Sequence, residues 1–490
     1  MPYGVSEQMI DTWSEIIFDL SLNVQIRRGD PVRHLDHEAW QAQREDMGLT
    51  DPEIALKLGL ATEQVTFIRN ITERRRFRLN QYRKLYRLGG GMRYREDRYQ
   101  DPEEKFEMSD AAVHLRQAID IPADQATHYI REGYWGSKRV PDVLEQHAQN
   151  NPDALAVADA HKSLTWRELK NNCFKLAASL QTRGQQRGDI IVSRQQHGID
   201  QLTCYLATLI CGSVFLPVPT DTSSAALASC LKRTGAATVI FDTGDRQQSL
   251  PGELVGLARQ STHLNLIVCQ TSDSIDNTIS LTELLAGNDD NPHTGASAGL
   301  AATDPVLLLP VDGDLETLAI FSHQNLTSSA LAVVDLMSPK CENFLISDLD
   351  FWSGAGALAT HLALYSGCML DFGSTIERGP VLVAKATKRG LKLDWPTGPS
   401  LEIKCSADVI ATLTSEDNNI WNPLPGVGAR TVNPEGTSLP DGETGALHLL
   451  SPGQCIGYLG EAGTRRTLDG WSVTGVQAEM NDQIVRITDG

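Results

Sequence analysis

Two groups of residues in this chain have types and spacings suited to chemistry on anions, one by attracting them and one by repelling them. Between Phe67 and Tyr99 stand eleven lysines and arginines against three acids, a local balance of +8. The 490 residues carry a formal net charge of -19, so the remainder holds -27. A cationic segment in an otherwise anionic chain is the composition that phosphate neutralisation needs. Arg74, Arg75, Arg76 and Arg78 are candidates to grip phosphates, and Thr62, Glu63, Gln64, Thr66 and Arg69, just upstream, to reach base edges. The repelling group lies at Leu308-Leu-Pro-Val-Asp-Gly-Asp-Leu-Glu-Thr317, where Asp312, Asp314 and Glu316 fall within five residues. Like charges ~4 Å apart cost about 1 kcal/mol even when solvated, so this stretch should turn a polyphosphate away.

The elements that must position the cations read as helices. Thr50 or Asp51 can cap a helix with Pro52 at its first position, Ile54, Ala55 and Leu58 form its apolar stripe, and Gly59 ends it. Thr62 can then cap a second helix with Val65 and Ile68 facing inward. Helix, glycine turn, helix at this spacing resembles the helix-turn-helix of bacterial regulators and sigma factors, whose second helix lies in the major groove of double-stranded DNA. A basic helix over about Thr72 to Leu88 follows, with Leu79, Tyr82 and Tyr86 on one side; its bland reading is a solvated charged helix. Upstream, Met9, Trp13, Ile16, Ile17 and Leu20 suit an amphipathic helix over about Val5 to Leu22. Gly89-Gly90-Gly91 and the polar run to Glu107 suit a hinge. These observations predict an all-α region over 1–100 and a linker over 101–130.

From about Ala126 the texture changes to short apolar strands alternating with helices. Ile190 to Ser193, Thr238 to Asp242 and Leu264 to Cys269 read as strands, and Leu169 to Leu180 and Asp200 to Leu209 as helices. This alternation means a mainly parallel sheet covered on both faces. Near the C-terminus Ala429 to Val432 and Ala446 to Leu450 read as strands separated by Asn433-Pro434 and Pro440-Asp441-Gly442 turns. The length implies two or three domains. Hydrophobic residues at 41% with 21% charged suit a globular protein with no membrane-length apolar run, and the first residues lack a secretory layout, so a cytoplasmic location is expected. Nine scattered cysteines without a Cys-x-x-Cys pair, and twelve histidines without His-x-x-x-His spacing beside a ligand cluster, predict reduced thiols and no metal site.

The order of these elements from about residue 131 to 490 resembles the large domain of adenylate-forming enzymes, the superfamily of acyl- and aryl-CoA synthetases, luciferases and peptide-synthetase adenylation domains. The resemblance rests on Ile320-Phe-Ser-His-Gln-Asn-Leu326, which matches that family's helix-opening Ser/Thr-His-x-Asn-Leu, and on the run from Pro425 to Gly475. It implies a layered α/β fold, here without the family's small C-terminal domain. It also implies that 308–317 occupies the Gly/Ser/Thr-rich loop with a lysine that closes around the ATP triphosphate. One glycine remains, Thr317 is the one hydroxyl, and the lysine is absent. Val476 stands where the family's Thr-Gly-Asp aspartate holds the ribose hydroxyls. Ala411-Thr-Leu-Thr414-Ser-Glu416 stands near the Tyr-Gly-x-Thr-Glu that closes over adenine and helps hold magnesium. The span from Trp395 to Thr414 is shorter than the family's by about one strand-helix unit. Leu349-Asp-Phe-Trp-Ser-Gly-Ala-Gly356 resembles the aromatic-lined segment beside the acyl pocket, so Phe351, Trp352 and Gly354 are expected to floor a cavity or, on the blander reading, to be core residues.

The resemblance and the charge map together suggest a catalytically silent ligase-like sensor, without ATP or magnesium, that reads a small carboxylic acid or its CoA thioester and is fused to a DNA-binding head as a dimeric transcriptional regulator. The expectation leans against an enzyme. Two alternatives stand beside it: an AMP-forming acyl- or aryl-CoA ligase with an unusual site, and a pseudoenzyme that regulates a partner protein.

Overall fold

The fold is seen in a computed structural model that describes residues 54–56, 60–66, 68, 115, 117–242, 252–256, 263–270, 277–286, 300–337, 343–346, 349–374, 381–388, 390–395, 400–417, 420–460, 465–467 and 469–488. The chain divides into two units, Met1–Pro102 and Glu103–Gly490.

In the first unit residues 54–56, 62–66 and 68 are helical, with Leu60 and Ala61 outside the helix. The Leu60 N–H donates to the Ala55 carbonyl at 3.0 Å, closing the end of the first segment. The second segment begins one residue earlier than expected. Ala61 is its cap, and Gln64 three residues on accepts the Ala61 N–H through Oε1 at 3.1 Å, leaving Thr62 inside the first turn. Ile54, Val65 and Ile68 are fully buried and Ala55 nearly so, as their helical spacing requires. The amphipathic segment 5–22, the basic helix 72–88 and the glycine hinge lie outside the described residues.

The second unit opens with α1 (Ala123–Arg131) and α2 (Val140–Asn150), then β1 (Leu155–Ala158), β2 (Ser163–Thr165) and α3 (Trp166–Thr182). α3 begins three residues before the Leu169 start expected from sequence, where Thr165 accepts from the Glu168 N–H while the Glu168 carboxylate accepts from the Thr165 N–H. Next come β3 (Ile190–Arg194), α4 (Ile199–Cys211), β4 (Val214–Pro217), α5 (Ser224–Thr234), β5 (Thr238–Phe241), β6 (Leu266–Cys269), β7 (Ile279–Ser280) and α6 (Leu281–Leu285). A hairpin of β8 (Pro305–Val311) and β9 (Asp314–Ser322) leads into α7 (His323–Val334), then β10 (Asn343–Ile346), α8 (Gly354–Ser366) and β11 (Met369–Asp371). The remainder is β: β12 (Val381–Thr387), β13 (Gly390–Asp394), β14 (Ser400–Lys404), β15 (Leu413–Asp417), β16 (Ile420–Pro423), β17 (Gly428–Val432), β18 (Thr444–Leu450), β19 (Gly457–Leu459), β20 (Ser472–Asn481) and β21 (Ile484–Ile487).

Two sheets result. An eight-stranded sheet runs β19-β9-β8-β4-β3-β5-β6-β7, and the run from β8 through β4 to β7 is parallel. A thirteen-stranded sheet runs β17-β18-β20-β21-β16-β15-β14-β13-β12-β10-β11-β1-β2. Period-two alternation splits the first sheet between two cores: Ile191 and Ile240 face one apolar cluster, Ile190, Val192 and Val239 the other. The first of these clusters also takes Leu370, Leu382 and Ala384 from the second sheet, with α4 and α8 between them. Both helices are apolar nearly all round, so both are buried nearly all round; in α4 only Asp200 is not fully buried.

Two expectations change. Of the range 101–130 expected as a linker, the described residues from Leu115 onward pack on this unit: Leu115 is 1% exposed and Ile119 bridges Gly457 in antiparallel register. The reason is that Leu115 and Ile119 are apolar and complete the core under β8 and β9. In the span from Trp395 to Thr414, expected to be short, the described residues include β14 and the start of β15, and β13, β14 and β15 pair antiparallel in direct register. Among the described residues no helix is long and apolar enough to cross a membrane.

Candidate functional site

The acidic stretch 308–317 is a closed hairpin rather than an open loop. Val311 pairs with Asp314, so the connection is two residues, Asp312 at φ 54° and Gly313 at φ 75°. Positive φ at both central positions is the type I′ geometry, whose twist matches the flanking strands and which Asp-Gly favours. A triphosphate cradle needs several consecutive N–H groups and hydroxyls pointing into a concavity. Here the backbone is consumed by ladder pairing, from Leu308 with Ile320 to Pro310 with Leu318. Thr317 is a partly buried residue of β9.

The three acids are not an unopposed negative patch, which corrects the electrostatic expectation. Asp312 Oδ2 meets Arg465 Nη2 at 2.5 Å. Glu316 meets Arg233 Nη1 at 2.8 Å, and the same guanidinium donates to the Glu316 carbonyl at 2.6 Å. Asp314 accepts the Glu316 N–H at 3.0 Å. The sequence pointed to repulsion because the arginines lie far away along the chain. Arg465-Arg466 is the one adjacent pair of cations after Lys404, which is the signal that was there to be read.

Beside Arg465 lies a buried polar knot. Asp408 is 8% exposed; it accepts from the Ser406 hydroxyl at 2.6 Å and from the Tyr458 hydroxyl at 3.0 Å. Burial, with the Asp408 charge adding to it, pushes the Tyr458 phenol far above its usual range, so it stays protonated and donates. Arg466 lies over the Tyr458 ring, 5.4 Å from its centre.

The other positions that the resemblance assigned to a nucleotide lie in the sheet. Val476 in β20 packs against the cluster of Leu413, Trp421, Leu447 and Val485. Thr414 in β15 is 8% exposed, and its hydroxyl donates to the Asn422 carbonyl at 3.4 Å. Phe351, expected to floor a cavity, is 1% exposed and enclosed by the rings of Tyr205, His197, Phe215 and His361, with centres 4.8 to 6.4 Å away. It is a core aromatic. Trp352 is only partly buried, and its ring edge lies 3.7 Å from where a Cβ on Gly313 would be, against the hairpin turn. Gly354 opens α8 where a Cβ would fall 2.2 Å from the Ser406 carbonyl oxygen, so close backbone approach, not a ligand, explains the glycine.

Behind Phe351 the imidazoles are held neutral. His361 Nδ1 donates to the Ala357 carbonyl at 2.6 Å, leaving Nε2 to accept from the Tyr205 hydroxyl at 2.8 Å. Burial lowers His361 and His197 to about 4 and His323 to about 3.

Residues 144–309 match the family described as AMP-binding enzyme, and the match ends at Leu309, just before the hairpin turn. The fold aligns with ATP-bound MatB from Rhodopseudomonas palustris at a TM-score of 0.59 and 20% identity, over 71% of this chain and 78% of that one. The likeness shows a shared fold, and the family match covers residues 144–309 alone. A curated Streptomyces griseus protein named Protein Y is 26% identical over 234 residues, which is 46% of this chain and 74% of that protein. The salicyl-AMP ligase / salicyl-S-ArCP synthetase of Mycobacterium tuberculosis is 33% identical over 101 residues, and the chain spans 18% of that enzyme's length.

The residues expected to read DNA divide. Thr62, Glu63, Gln64 and Thr66 are helical, with Glu63 exposed and the other three partly buried, and the Gln64 side chain is engaged in the cap. Arg69, Arg74, Arg75, Arg76 and Arg78 lie outside the described residues.

Proposed function

We propose that this chain is an adenylate-forming-type domain that does not adenylate, serving as the sensing body of a regulator whose cationic segment, 67–99, contacts double-stranded DNA. The observation that carries the first half is the two-residue Asp312-Gly313 turn. With the strands zipped to the turn, and with Val476 and Thr414 drawn into the sheet, three separate contacts for a nucleotide are gone together. The second half is supported by the +8 balance of 67–99 in a chain of net charge -19. A closed Phe351 cluster argues that an effector acid or thioester, if one is read, lies on the Trp352 side of α8. The regulator is expected to work as a homodimer, as helix-turn-helix readers do.

The test has two arms. A pyrophosphate-exchange assay over a panel of carboxylic acids should give no turnover above a blank; turnover would establish the second reading, an unusual AMP-forming ligase, which the ligase names among the relatives favour. Binding of the whole chain to its own upstream duplex should exceed binding to random duplex; equal binding, together with a specific protein partner surviving nuclease treatment, would move the reading to a pseudoenzyme acting on that partner.

A further inference from the structure

Arg465 and Arg466 are consecutive, and in an extended segment consecutive side chains leave the backbone in opposite directions. The segment is extended: Arg466 bridges Ser472 in antiparallel register, and the Val473 N–H donates to the Arg465 carbonyl at 2.8 Å. Arg465 reaches the tip of the β8–β9 hairpin at Asp312. Arg466 reaches the other way, donating to the Asp120 carbonyl at 2.7 Å, to the Cys455 carbonyl, and to Cys455 Sγ at 3.2 Å.

Asp120 belongs to the strap through which the chain enters this unit. Ile119 bridges Gly457, and the Asp120 N–H donates to the Ile456 carbonyl at 2.8 Å. A Cβ on Gly457 would lie 1.9 Å from the Ala118 carbonyl oxygen, so the strap is seated against β19 as closely as backbone allows. The β19 strand in turn pairs with β9 of the hairpin, Gly457 with Ile320.

We propose that Arg465-Arg466 is a coupling element that ties the hairpin tip to the strap at Ile119 and Asp120, so that whatever displaces the tip also loosens the strap. The Asp312–Arg465 pair is exposed, with Asp312 at 74% and Arg465 at 36%, and exposed pairs contribute little and open readily. The Arg466 contacts to Cys455 are part-buried, whereas its contact to the Asp120 carbonyl of the strap is exposed. Both outer contacts are thus exposed, and the part-buried Cys455 contacts form the pivot between them. Use of this coupling as a signal rests on the silent-sensor reading above; the coupling itself does not.

Amide hydrogen exchange on the free full-length chain tests it. Asp312→Asn removes the charge at an exposed turn while keeping a residue that tolerates positive φ. It should raise exchange by roughly threefold or more both in 308–318 and in 115–121 with 455–457, and Arg465→Met should reproduce the strap effect. Arg466→Met should release the strap whatever happens at the tip. Exchange that rises only in 308–318 in the first two variants would overturn the proposal. Because no nucleic acid or ligand is present, this outcome is independent of whether the chain binds DNA, and a failure to bind DNA would bear on the function alone.

Discussion

Val476 shows how one residue can settle the fate of a site. Val476 is half-buried against the apolar cluster that holds Leu413, Trp421 and Leu447, so an aspartate there would give up part of its hydration to apolar neighbours. Val476→Asp is therefore expected to destabilise the unit by about 1–3 kcal/mol in urea unfolding and to leave nucleotide binding absent; a variant as stable as the parent that takes up ATP would contradict the assignment. The buried imidazoles make a second prediction at this scale. Unfolded histidines titrate near 6.5, whereas His197 and His361 are lowered to about 4 and His323 to about 3. Between those values the unfolded chain binds protons that the folded chain refuses, so stability is full above about 6.5 and falls as the pH drops below it, by roughly 1.4 kcal/mol per unit per histidine at most. Thermal midpoints measured from pH 7 to 4.5 should decline; a flat profile would mean the imidazoles reach solvent.

Among the elements, the hairpin and the β19–strap contact do the positioning. Gly457→Ala drives a methyl into the Ala118 carbonyl, a contact with backbone that cannot swing aside. Its expected cost is about 1–3 kcal/mol, read as a lowered urea midpoint, and an unchanged midpoint would show that the strap is loosely held. This scale is also where sequence and structure part. The parallel strands at 190–194, 238–241 and 266–269 were legible because short apolar runs agree with the fold, whereas the capping box at Thr165 and Glu168 starts α3 three residues before the expected Leu169. The hairpin was legible in principle: Asp-Gly between alternating residues is the strongest short signal for a type I′ turn. It was read as a loop because its place in a resembling family is a loop, so the template outweighed the residues. The Asp312–Arg465 and Arg466–Asp120 contacts join residues 153 and 346 positions apart, and no local pattern announces such pairs. Phe351 was ambiguous for a different reason, since a pocket wall and a core share one composition, and the enclosing rings of Tyr205, Phe215 and His361 come from other elements.

The whole chain joins two charge regimes: a cationic segment suited to a polyanion, and an acidic remainder that, on the proposed reading, takes no nucleotide. If Arg74, Arg75, Arg76 and Arg78 each neutralise a phosphate, log affinity for duplex should fall with log salt at a slope of about -3.6. Replacing the four by alanine should flatten that slope; a slope unchanged by the replacement would place the contacts elsewhere. The most direct measurement is titration calorimetry of the full-length chain with magnesium-ATP. The closed Asp312-Gly313 turn predicts no heat of binding at millimolar nucleotide, whereas saturable uptake at micromolar strength would mean that the hairpin opens into a working cradle and that the domain is an adenylating enzyme after all.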